Sequence, residues 1–537
     1  MHRSPDSRVT ATRNGQREPW WRTAVFYQVY VRSFADSDGD GVGDLAGIRE
    51  KLEYLHLLGV DAVWLTPFYP SPMVDHGYDV ADPRDVDPLF GSLADFDDLV
   101  AAAHKLGIKV TVDLVPNHTS DRHADFAAAL ADGPGSPARA RYVFRDGTGE
   151  DGAEPPNNWR SVFGGPAWTR VPDGQWYLHL FTAEQPDLDW TNPEVGAELE
   201  KTMRFWMDRG ADGFRIDVAH GMAKAEGLPD MAEPQATETV PDPAGGEDPR
   251  FDVDGVHEVH RLIRRVLEVY PDRMAVGEVW VDDDERLARY VRPDELHLVF
   301  NFRLTQAEWD AEEFRDGIEA SLQAMRSVGA PTTWTLSNHD LIRHATRYAR
   351  GTDEATGRQR ARAAALVQLA LPGVAYLYYG DELGLPNAEL PDEVLQDPVW
   401  ERSQRTRRGR DGERVPMPWS GEKPPYDFST SAKTWLPMPD SWSVLTVEAQ
   451  LDDPESTLSL YRRALELRRE YPGFGTDGLE WFSTPKGCLA FRRPSGLLCA
   501  VNASDAPVPM PPGELLLASG PLGTDGTLPP DTAVWLA

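Results

Sequence analysis

The residues of this chain best suited to chemistry are a guanidinium and a carboxylate two positions apart, Arg215 and Asp217, in segment 213–220 (GFRIDVAH). On a β-strand, residues two apart point to the same face, so these two side chains would lie together. A guanidinium beside a carboxylate favours its ionised form and orients its lone pairs. An isolated pair of this kind is more often a structural ion pair, so its meaning depends on the chain's other carboxyls.

Two further carboxyls lie at the ends of predicted strands. Glu278 follows the apolar residues 275–277 and precedes Trp280, and Asp340 follows His339. Apolar surroundings disfavour the charged form of a carboxyl and so help it to hold a proton. Retaining glycoside hydrolysis needs one ionised carboxylate that attacks the sugar and one protonated carboxyl that assists the leaving oxygen. Asp217 and Glu278 fit these two roles.

Composition and charge exclude several classes of function. The 537-residue chain has a net charge of −33 and a pI of about 4.7, which argues against nucleic acid and anionic membrane as partners. Residues 1–19 are polar and no apolar run reaches bilayer length, which predicts a cytoplasmic protein with no membrane partner. Cys488 and Cys499 are predicted to be free thiols, because the expected hairpin register sets Cys499 opposite Phe491.

Short β-branched or aromatic runs alternate with amphipathic runs along most of the chain. This pattern is typical of βα units on a parallel sheet. Eight runs are predicted to be strands: 24–30, 60–65, 108–115, 211–217, 274–279, 296–302, 333–337 and 374–379. Eight strands with intervening helices predict an α/β protein with a (β/α)8 TIM barrel, in which catalytic groups lie at the carboxyl ends of the strands.

Three segments interrupt the alternation. Residues 117–192, after the third strand, are too long for a simple connection and are predicted to form an inserted subdomain. The acidic residues 226–249 are predicted to be a loop at the active-site mouth, and 387–438 a further excursion. Short alternating runs predict a C-terminal all-β domain. The predicted division is a disordered tail at 1–19, the barrel at 20–116 and 193–472, the inserted subdomain at 117–192 and the β domain at 473–537.

Six segments, in order along the chain, resemble the motifs of the α-amylase family, glycoside hydrolase family 13, and within it the α-glucosidase and oligo-1,6-glucosidase branch. They are 59–67 (GVDAVWLTP), 113–118 (DLVPNH), 185–189 (QPDLD), 213–218 (GFRIDV), 277–280 (GEVW) and 337–340 (SNHD). The resemblance covers nearly the full length. It implies that Asp217 is the nucleophile, Glu278 the general acid/base and Asp340 the stabiliser of the distorted sugar.

The resemblance also implies a set of sugar-binding residues. His118 and His339 would donate hydrogen bonds to the glycone, and Tyr78, in segment 75–79 (DHGYD), would stack beneath its ring. Asp75 would pair with Arg414 of segment 413–417 (ERVPM) and close the pocket. The candidate substrate-binding residues are Asp75, Tyr78, His118, Arg215, His220, His339, Arg343 and Arg414.

The residue at position 218, after Asp217, bears on which glycosidic linkage is cleaved. In this branch, valine there accompanies α-1,6 cleavage and threonine accompanies α-1,4 cleavage, so Val218 alone favours isomaltose-type bonds. The nearby His220 could offer the aglycone a hydrogen bond and restore action on maltose. We therefore expect activity on short α-1,4 substrates with some tolerance of α-1,6.

A second motif has the spacing of a hard-cation site. Segment 36–44 (DSDGDGVGD) places carboxylates at its positions 1, 3, 5 and 9, a glycine at 6 and a main-chain carbonyl at 7. The candidate ligands are Asp36, Asp38, Asp40, Val42 and Asp44. The spacing predicts a structural calcium, with magnesium as the alternative. Related α-glucosidases bind calcium at the equivalent loop, so the resemblance implies the same.

Together these features predict a retaining, exo-acting α-glucosidase that releases glucose from the non-reducing ends of short α-glucosides by double displacement. Its partner would be a small oligosaccharide or α-glucoside, and the protein would be a monomer or homodimer. Two alternatives stay open: a glucosyl transferase or isomerase on the same scaffold, such as a trehalose synthase, and a non-catalytic binding subunit. The residues after Asp217 favour the glucosidase over the first, and the complete triad argues against the second.

Overall fold

The computed structural model describes residues 12–13, 16–231, 248–471, 474, 478–494, 496–523 and 526–537. Within the tail predicted to be disordered, Thr12–Arg13 pairs antiparallel with Gln16–Arg17. The rest of that tail up to residue 15, and residues 232–247 of the predicted mouth loop, lie outside the described residues. No helix in the described ranges is long and apolar enough to cross a membrane.

Eight parallel strands form a nearly closed barrel, which confirms the predicted fold class. They are β1 (Val25–Val29), β2 (Ala62–Leu65), β3 (Lys109–Leu114), β4 (Gly213–Ile216), β5 (Met274–Gly277), β6 (Leu298–Val299), β7 (Thr333–Thr335) and β8 (Val374–Tyr378). Each strand from β1 to β5 pairs with the next along the chain, and β8 lies between β1 and β7. Thr333 links β7 to β6, because its Oγ1 donates to the carbonyl of Val299 at 2.6 Å.

Two apolar layers hold the barrel together. Inward residues such as Phe26, Trp64 and Tyr376 fill the interior, where Phe26 stacks on Tyr376 with ring centroids 4.6 Å apart. Outward residues such as Tyr27 and Val63 are buried beneath the surrounding helices. Because both faces are covered, the strands are nearly continuous apolar runs, as parallel sheets require.

The helices around the barrel begin at residues that cap their free N–H groups. Ser92 caps Leu93–Lys105 in a reciprocal pair with Asp95, and Asn192 caps Pro193–Asp208. The other covering helices are Leu45–Glu50, Leu52–Leu58, Val256–Leu267, Asp284–Arg289, Ala311–Val328, Glu354–Ala370 and Thr457–Glu470. All of these helices except Thr457–Glu470, which follows β8, connect consecutive strands, so that all eight strands end on one face of the barrel.

The insertion after β3 contains a small antiparallel sheet of Phe144–Asp146, Gln175–Leu178 and Trp168–Arg170. Buried aromatic residues such as Trp159 and Trp168 form its own core. The excursion after β8 contains only short elements, among them the helix Pro398–Arg402 and the 3₁₀ turn Asp411–Glu413. Both segments lie over the carboxyl ends of the strands and supply walls to the pocket there.

The C-terminal region forms a five-stranded antiparallel sheet: in spatial order, Glu480–Trp481, Cys488–Arg492, Leu498–Asn502, Thr532–Leu536 and Leu515–Ala518. Cys499 lies opposite Phe491 and both cysteines are free, which confirms the predicted hairpin register. The sheet packs on the helix Glu354–Ala370, where the Trp535 indole donates to the carbonyl of Leu366 at 2.9 Å.

Candidate active site

The carboxyl ends of β3, β4 and β5 bring three carboxylates onto one buried guanidinium. Arg215 Nη1 donates to Asp113 Oδ1 at 2.9 Å and to Asp217 Oδ1 at 2.5 Å, and its Nη2 lies 2.8 Å from Glu278 Oε2. The prediction that Arg215 marks Asp217 alone as the ionised carboxylate is therefore wrong. Arg215 contacts both members of the predicted catalytic pair and cannot distinguish them.

One positive charge cannot balance three buried carboxylates, so the protonation of Asp113 and of Asp217 depends on their charged neighbours. Burial raises the pKa of Asp113 to about 6 against the opposing effect of Arg215. Burial likewise raises the pKa of Asp217 well above its usual range, again opposed by Arg215 and aided by Glu278 and Asp113. The cluster thus favours holding a proton, as a pair of carboxyls in a retaining glycosidase must.

The hydrogen bonds of Asp217 and Glu278 determine which oxygen of each carboxyl is free to react. Oδ1 of Asp217 is held by Arg215, which leaves Oδ2 without a hydrogen-bond donor among the residues described. Glu278 accepts from the Val218 main-chain N–H at Oε2 (3.0 Å) and from the Trp280 indole at Oε1 (2.8 Å). Val218 has φ +44°, which is strained for a β-branched residue and turns its N–H towards Glu278.

The third predicted catalytic residue, Asp340, lies between two arginines from the excursion. Its Oδ1 accepts from Arg410 Nη1 at 2.9 Å and from Arg414 Nη2 at 3.0 Å. Burial opposes ionisation, but the two guanidinium groups hold the pKa of Asp340 well below its usual range. Asp340 is therefore a fixed negative charge, suited to hydroxyl groups or to positive charge that develops on a sugar ring.

The prediction that Asp75 pairs with Arg414 is wrong. The partner is Arg410, whose Nη2 donates to Asp75 Oδ1 at 3.0 Å and whose Nε donates to Asp397 Oδ2 at 2.6 Å. Arg414 instead donates to the main-chain carbonyl of His339 at 2.7 Å and supports Asp340 from beneath. The two arginines lie on either side of one 3₁₀ turn, so neither order nor spacing could show which of them reaches Asp75.

Arg343 does not line the pocket formed by the described residues. It is buried below the site, where its guanidinium donates to the carbonyls of Tyr379 at 2.8 Å and Glu413 at 2.9 Å. These bonds fix the excursion to the end of β8. The predicted contact of Arg343 with substrate is therefore corrected to a structural role, because the side chain is buried away from the pocket lining and both of its terminal nitrogens donate to main-chain carbonyls.

Tyr78, His118 and His339 all line the pocket, and each of the two histidines contacts Tyr78. Tyr78 is parallel to His339, with ring centroids 5.3 Å apart, and its hydroxyl lies 2.6 Å from His339 Nε2. His118 Nε2 lies 3.1 Å from the main-chain carbonyl of Tyr78. Burial lowers the pKa of His118 to about 4 and holds that of His339 well below its usual value, so both rings are neutral hydrogen-bonding groups.

A lysine ties the inserted subdomain to the loop after β4. Lys224 Nζ donates to Asn117 Oδ1 at 2.9 Å and lies 2.8 Å from Asp187 Oδ2. From the same 185–189 segment, Gln185 Nε2 donates to Asp75 Oδ2 at 3.1 Å. The segment therefore supports the closed end of the pocket, a function that its sequence did not indicate.

Most of the apolar residues that line the pocket were not predicted from the sequence. The lining residues it did not predict are Val162, Phe163, Phe181, Arg250, Phe251, Trp280, Leu341 and Arg410. His220, which was predicted, also lines the pocket and is stacked on Phe251 with centroids 4.9 Å apart. The aromatic content of the insertion was a signal that some of its residues contact a ligand, but nothing in the sequence indicated which.

The predicted cation loop groups three of its carboxylates. Oxygens of Asp36, Asp38 and Asp40 lie within 4.8 Å of one another. Desolvation is the main cause that raises the pKa of Asp40, and the nearby carboxylates add to it. Asp44 is engaged elsewhere, since its carboxylate accepts from the N–H groups of Ser37 and Gly47 and caps a helix.

Residues 28–477 match the family model described as alpha amylase, catalytic domain. The chain belongs to the α-amylase family. This confirms the resemblance drawn from the six motifs and makes the protein a member of a glycoside hydrolase family. A second model, described as a domain of unknown function (DUF3459), matches residues 483–535, which lie in the C-terminal sheet region.

Similar proteins cover the chain almost end to end. A probable alpha-glucosidase of Rhizobium meliloti (strain 1021) is 39% identical over 509 residues, 90% of each chain. An oligo-1,6-glucosidase of Heyndrickxia coagulans is 36% identical over 495 residues, 86% of each. The solved structure of the alpha-glucosyl transfer enzyme XgtA is 38% identical, with a TM-score of 0.87 over 97% of this chain and 100% of that one.

Proposed function

We propose that the protein is a retaining, exo-acting α-glucosidase that releases glucose from the non-reducing ends of short α-glucosides. The observation that carries the proposal is the shared guanidinium of Arg215, which holds Asp217 and Glu278 side by side, each within 2.8 Å of one of its nitrogens. Such closeness suits the short separation of carboxyls in retaining enzymes rather than the wider gap that inverting enzymes leave for water.

In the first step, Asp217 Oδ2 attacks the anomeric carbon and forms a covalent ester. The bond from that carbon to the leaving oxygen breaks, its electron pair goes to the oxygen, and Glu278 supplies the proton. Asp340 accepts hydrogen bonds from ring hydroxyls as the ring flattens, and its negative charge opposes the positive charge that develops there. Arg215 keeps Asp217 oriented throughout.

In the second step, water replaces the leaving group. Glu278, now ionised, takes a proton from the water as the oxygen bonds to the anomeric carbon, and the ester bond breaks with its electron pair returning to Asp217. Two inversions at the same carbon give net retention. The α-glucoside therefore yields α-glucose as the first product.

Exo action follows from the closed end of the pocket. Asp75 is buried there between Arg410 and Gln185, and Arg410 is itself fixed by Asp397 and Asp340. A polymer chain cannot pass through this wall, so only a chain end can enter. The neutral rings of His118 and His339 add hydrogen-bonding groups for a single sugar.

The test is product analysis with maltose, isomaltose, sucrose, trehalose, maltotetraose and soluble starch. We expect glucose from the ends of short α-1,4 substrates, slower release from isomaltose, and retention of the α configuration by NMR. Early appearance of maltotriose and longer fragments from starch would contradict the closed pocket, and β-glucose as first product would contradict the double displacement.

Glucosyl transfer is the second candidate, favoured by the apolar side chains of Phe251, Trp280 and Leu341 in the pocket wall. An apolar wall disfavours water and favours an alcohol acceptor in the second step. The solved structure of an alpha-glucosyl transfer enzyme with the same fold is consistent with this possibility. The ratio of transfer product to free glucose at high maltose concentration distinguishes the two activities.

We also propose that Asp36, Asp38 and Asp40 hold a structural calcium or magnesium ion. Their grouped carboxylate oxygens provide the hard ligands that these ions prefer. Gly41 has φ +95°, and a Cβ there would lie 2.2 Å from the carbonyl of Lys433, so the loop packs tightly against the excursion. The ion would fix this contact and take no part in bond cleavage.

Calcium is therefore expected to raise the midpoint of thermal unfolding of the chelator-stripped protein while changing kcat little. Asp40→Ala should abolish the rise, because it removes one of the three grouped ligands. Asp98→Ala, which removes an exposed aspartate paired with Arg49, should leave it intact. A parent protein whose melting temperature is the same with and without calcium or magnesium would show that the loop is only a turn.

A location in the cytoplasm and a monomeric or homodimeric state stay predictions from the sequence.

A further inference from the structure

Trp280, two residues after Glu278, contacts the proposed acid/base directly. Its indole Nε1 donates to Glu278 Oε1 at 2.8 Å. The indole ring lies flat on Phe302, with ring centroids 3.7 Å apart and an interplanar angle of 11°. Phe302 belongs to the apolar layer inside the barrel, so the indole rests on a rigid support. Both the direction and the position of its N–H are thereby fixed.

The two oxygens of Glu278 have different surroundings. Oε2 accepts from the Val218 N–H at 3.0 Å and lies 2.8 Å from Arg215 Nη2. A proton on Oε2 would face a guanidinium cation, which repels it. Oε1 has a single donor among the described residues, the Trp280 indole, and so keeps one lone pair for a proton. The proton that reaches the leaving oxygen is therefore carried on Oε1.

We propose that Trp280 is a positioning residue for the acid/base, with its N–H occupying one lone pair of Glu278 Oε1 and directing the proton on the other towards the leaving oxygen. The inference rests on the proposed glucosidase function. In the first step the proton passes from Oε1 to the leaving oxygen as the glycosidic bond breaks. The indole N–H then remains on the carboxylate formed, where a donor stabilises the charge.

The ionisable groups that face Glu278 come from several strands. They are Arg215, Asp113, Asp217 and His220, and burial lowers the pKa of His220 so that its ring is neutral. A change at Trp280 alters none of these groups. A shift in pH dependence after such a change would therefore report the indole hydrogen bond.

Trp280→Phe keeps an aromatic ring to stack on Phe302 and removes only the N–H. Its kcat/KM is measured on aryl α-glucosides whose leaving groups range from 4-nitrophenol to 4-methoxyphenol. We expect about a tenfold loss with the most basic leaving groups, which need the proton, and little loss with 4-nitrophenol, which does not. The alkaline limb of kcat/KM should move to higher pH, because the N–H no longer favours the carboxylate.

Two further variants make the result interpretable. Trp481→Phe, a matched change in the C-terminal sheet, should leave both the leaving-group dependence and the pH profile unchanged. Phe302→Leu keeps the N–H but removes its stacking partner, and should produce smaller effects in the same direction. It also serves as the test if Trp280→Phe does not fold.

An equal loss across the aryl series with an unmoved alkaline limb would overturn the proposal, because it would show that Trp280 only contacts the aglycone or supports the fold. A parent protein that hydrolyses no α-glucoside would instead contradict the proposed function. The two failures are therefore distinguishable.

Discussion

Asp217→Ala is expected to lower kcat on the order of 10³-fold or more, because it removes the carboxylate that forms the covalent intermediate. With 4-nitrophenyl α-glucoside as substrate, added azide should restore turnover by attacking the anomeric carbon directly. A single displacement inverts that carbon, so the product should be the β-glucosyl azide. The rate and the anomeric configuration of the azide product are the two measurements.

Glu278→Gln should also lower kcat by orders of magnitude with maltose, and by less with the nitrophenyl substrate, whose leaving group needs no proton. Asp132→Ala, an exposed aspartate at the end of a surface helix, is the matched control and should leave kcat unchanged. Circular dichroism and thermal unfolding would verify that the variants fold. Near-native turnover by Asp217→Ala without azide would remove Asp217 from the nucleophile's role.

Arg410→Ala should have the second largest effect, on both stability and catalysis. Arg410 neutralises Asp75, Asp340 and Asp397, and its removal leaves Asp75 and Asp397 buried with little compensation. Breaking a buried pair in this way costs about 3–5 kcal/mol of unfolding free energy. Because Asp75 closes the glycone pocket, kcat/KM for maltose should also fall by about 10²-fold or more.

The loss of stability caused by Arg410→Ala is expected to change with pH in a definite direction. Burial raises the pKa of Asp75 to about 6 even with Arg410 beside it, so removing the guanidinium moves that pKa higher. A carboxyl whose pKa is higher in the folded than in the unfolded state loses stability as pH rises through the folded value. The destabilisation by Arg410→Ala should therefore be larger at pH 8 than at pH 5.

Arg408→Ala is the matched control for Arg410→Ala. Arg408 lies two residues away on the same excursion, but its side chain is 52% exposed and its ion-pair partner, Asp392, is more exposed still. Exposed pairs contribute at most about 1 kcal/mol, so stability and kcat/KM should change little. Equal effects of the two variants would mean that burial of the Asp75–Arg410 pair has no special consequence.

The sequence by itself determined the eight strands and their connection into a barrel. Each strand is a short apolar run, and the helices between the strands repeat their apolar residues with helical spacing. Both patterns reflect which faces of each element are buried, so they can be recognised in the sequence. The same holds for the hairpin in which Cys499 lies opposite Phe491, because register follows from turn position. The family motifs could also be recognised, because each consists of residues that are neighbours in the sequence.

The tertiary structure alone decided which contacts are made by the long side chains of the irregular segments. Arg410, not Arg414, reaches Asp75, and Arg343 donates to main-chain carbonyls below the site. The excursion has no regular secondary-structure period, so its sequence could not predict either contact. Likewise, Arg215 contacts Glu278 as well as Asp217 only because β5 lies beside β4 in the barrel. Contacts between residues far apart in the chain depend on the packing of whole segments, which local sequence patterns do not encode.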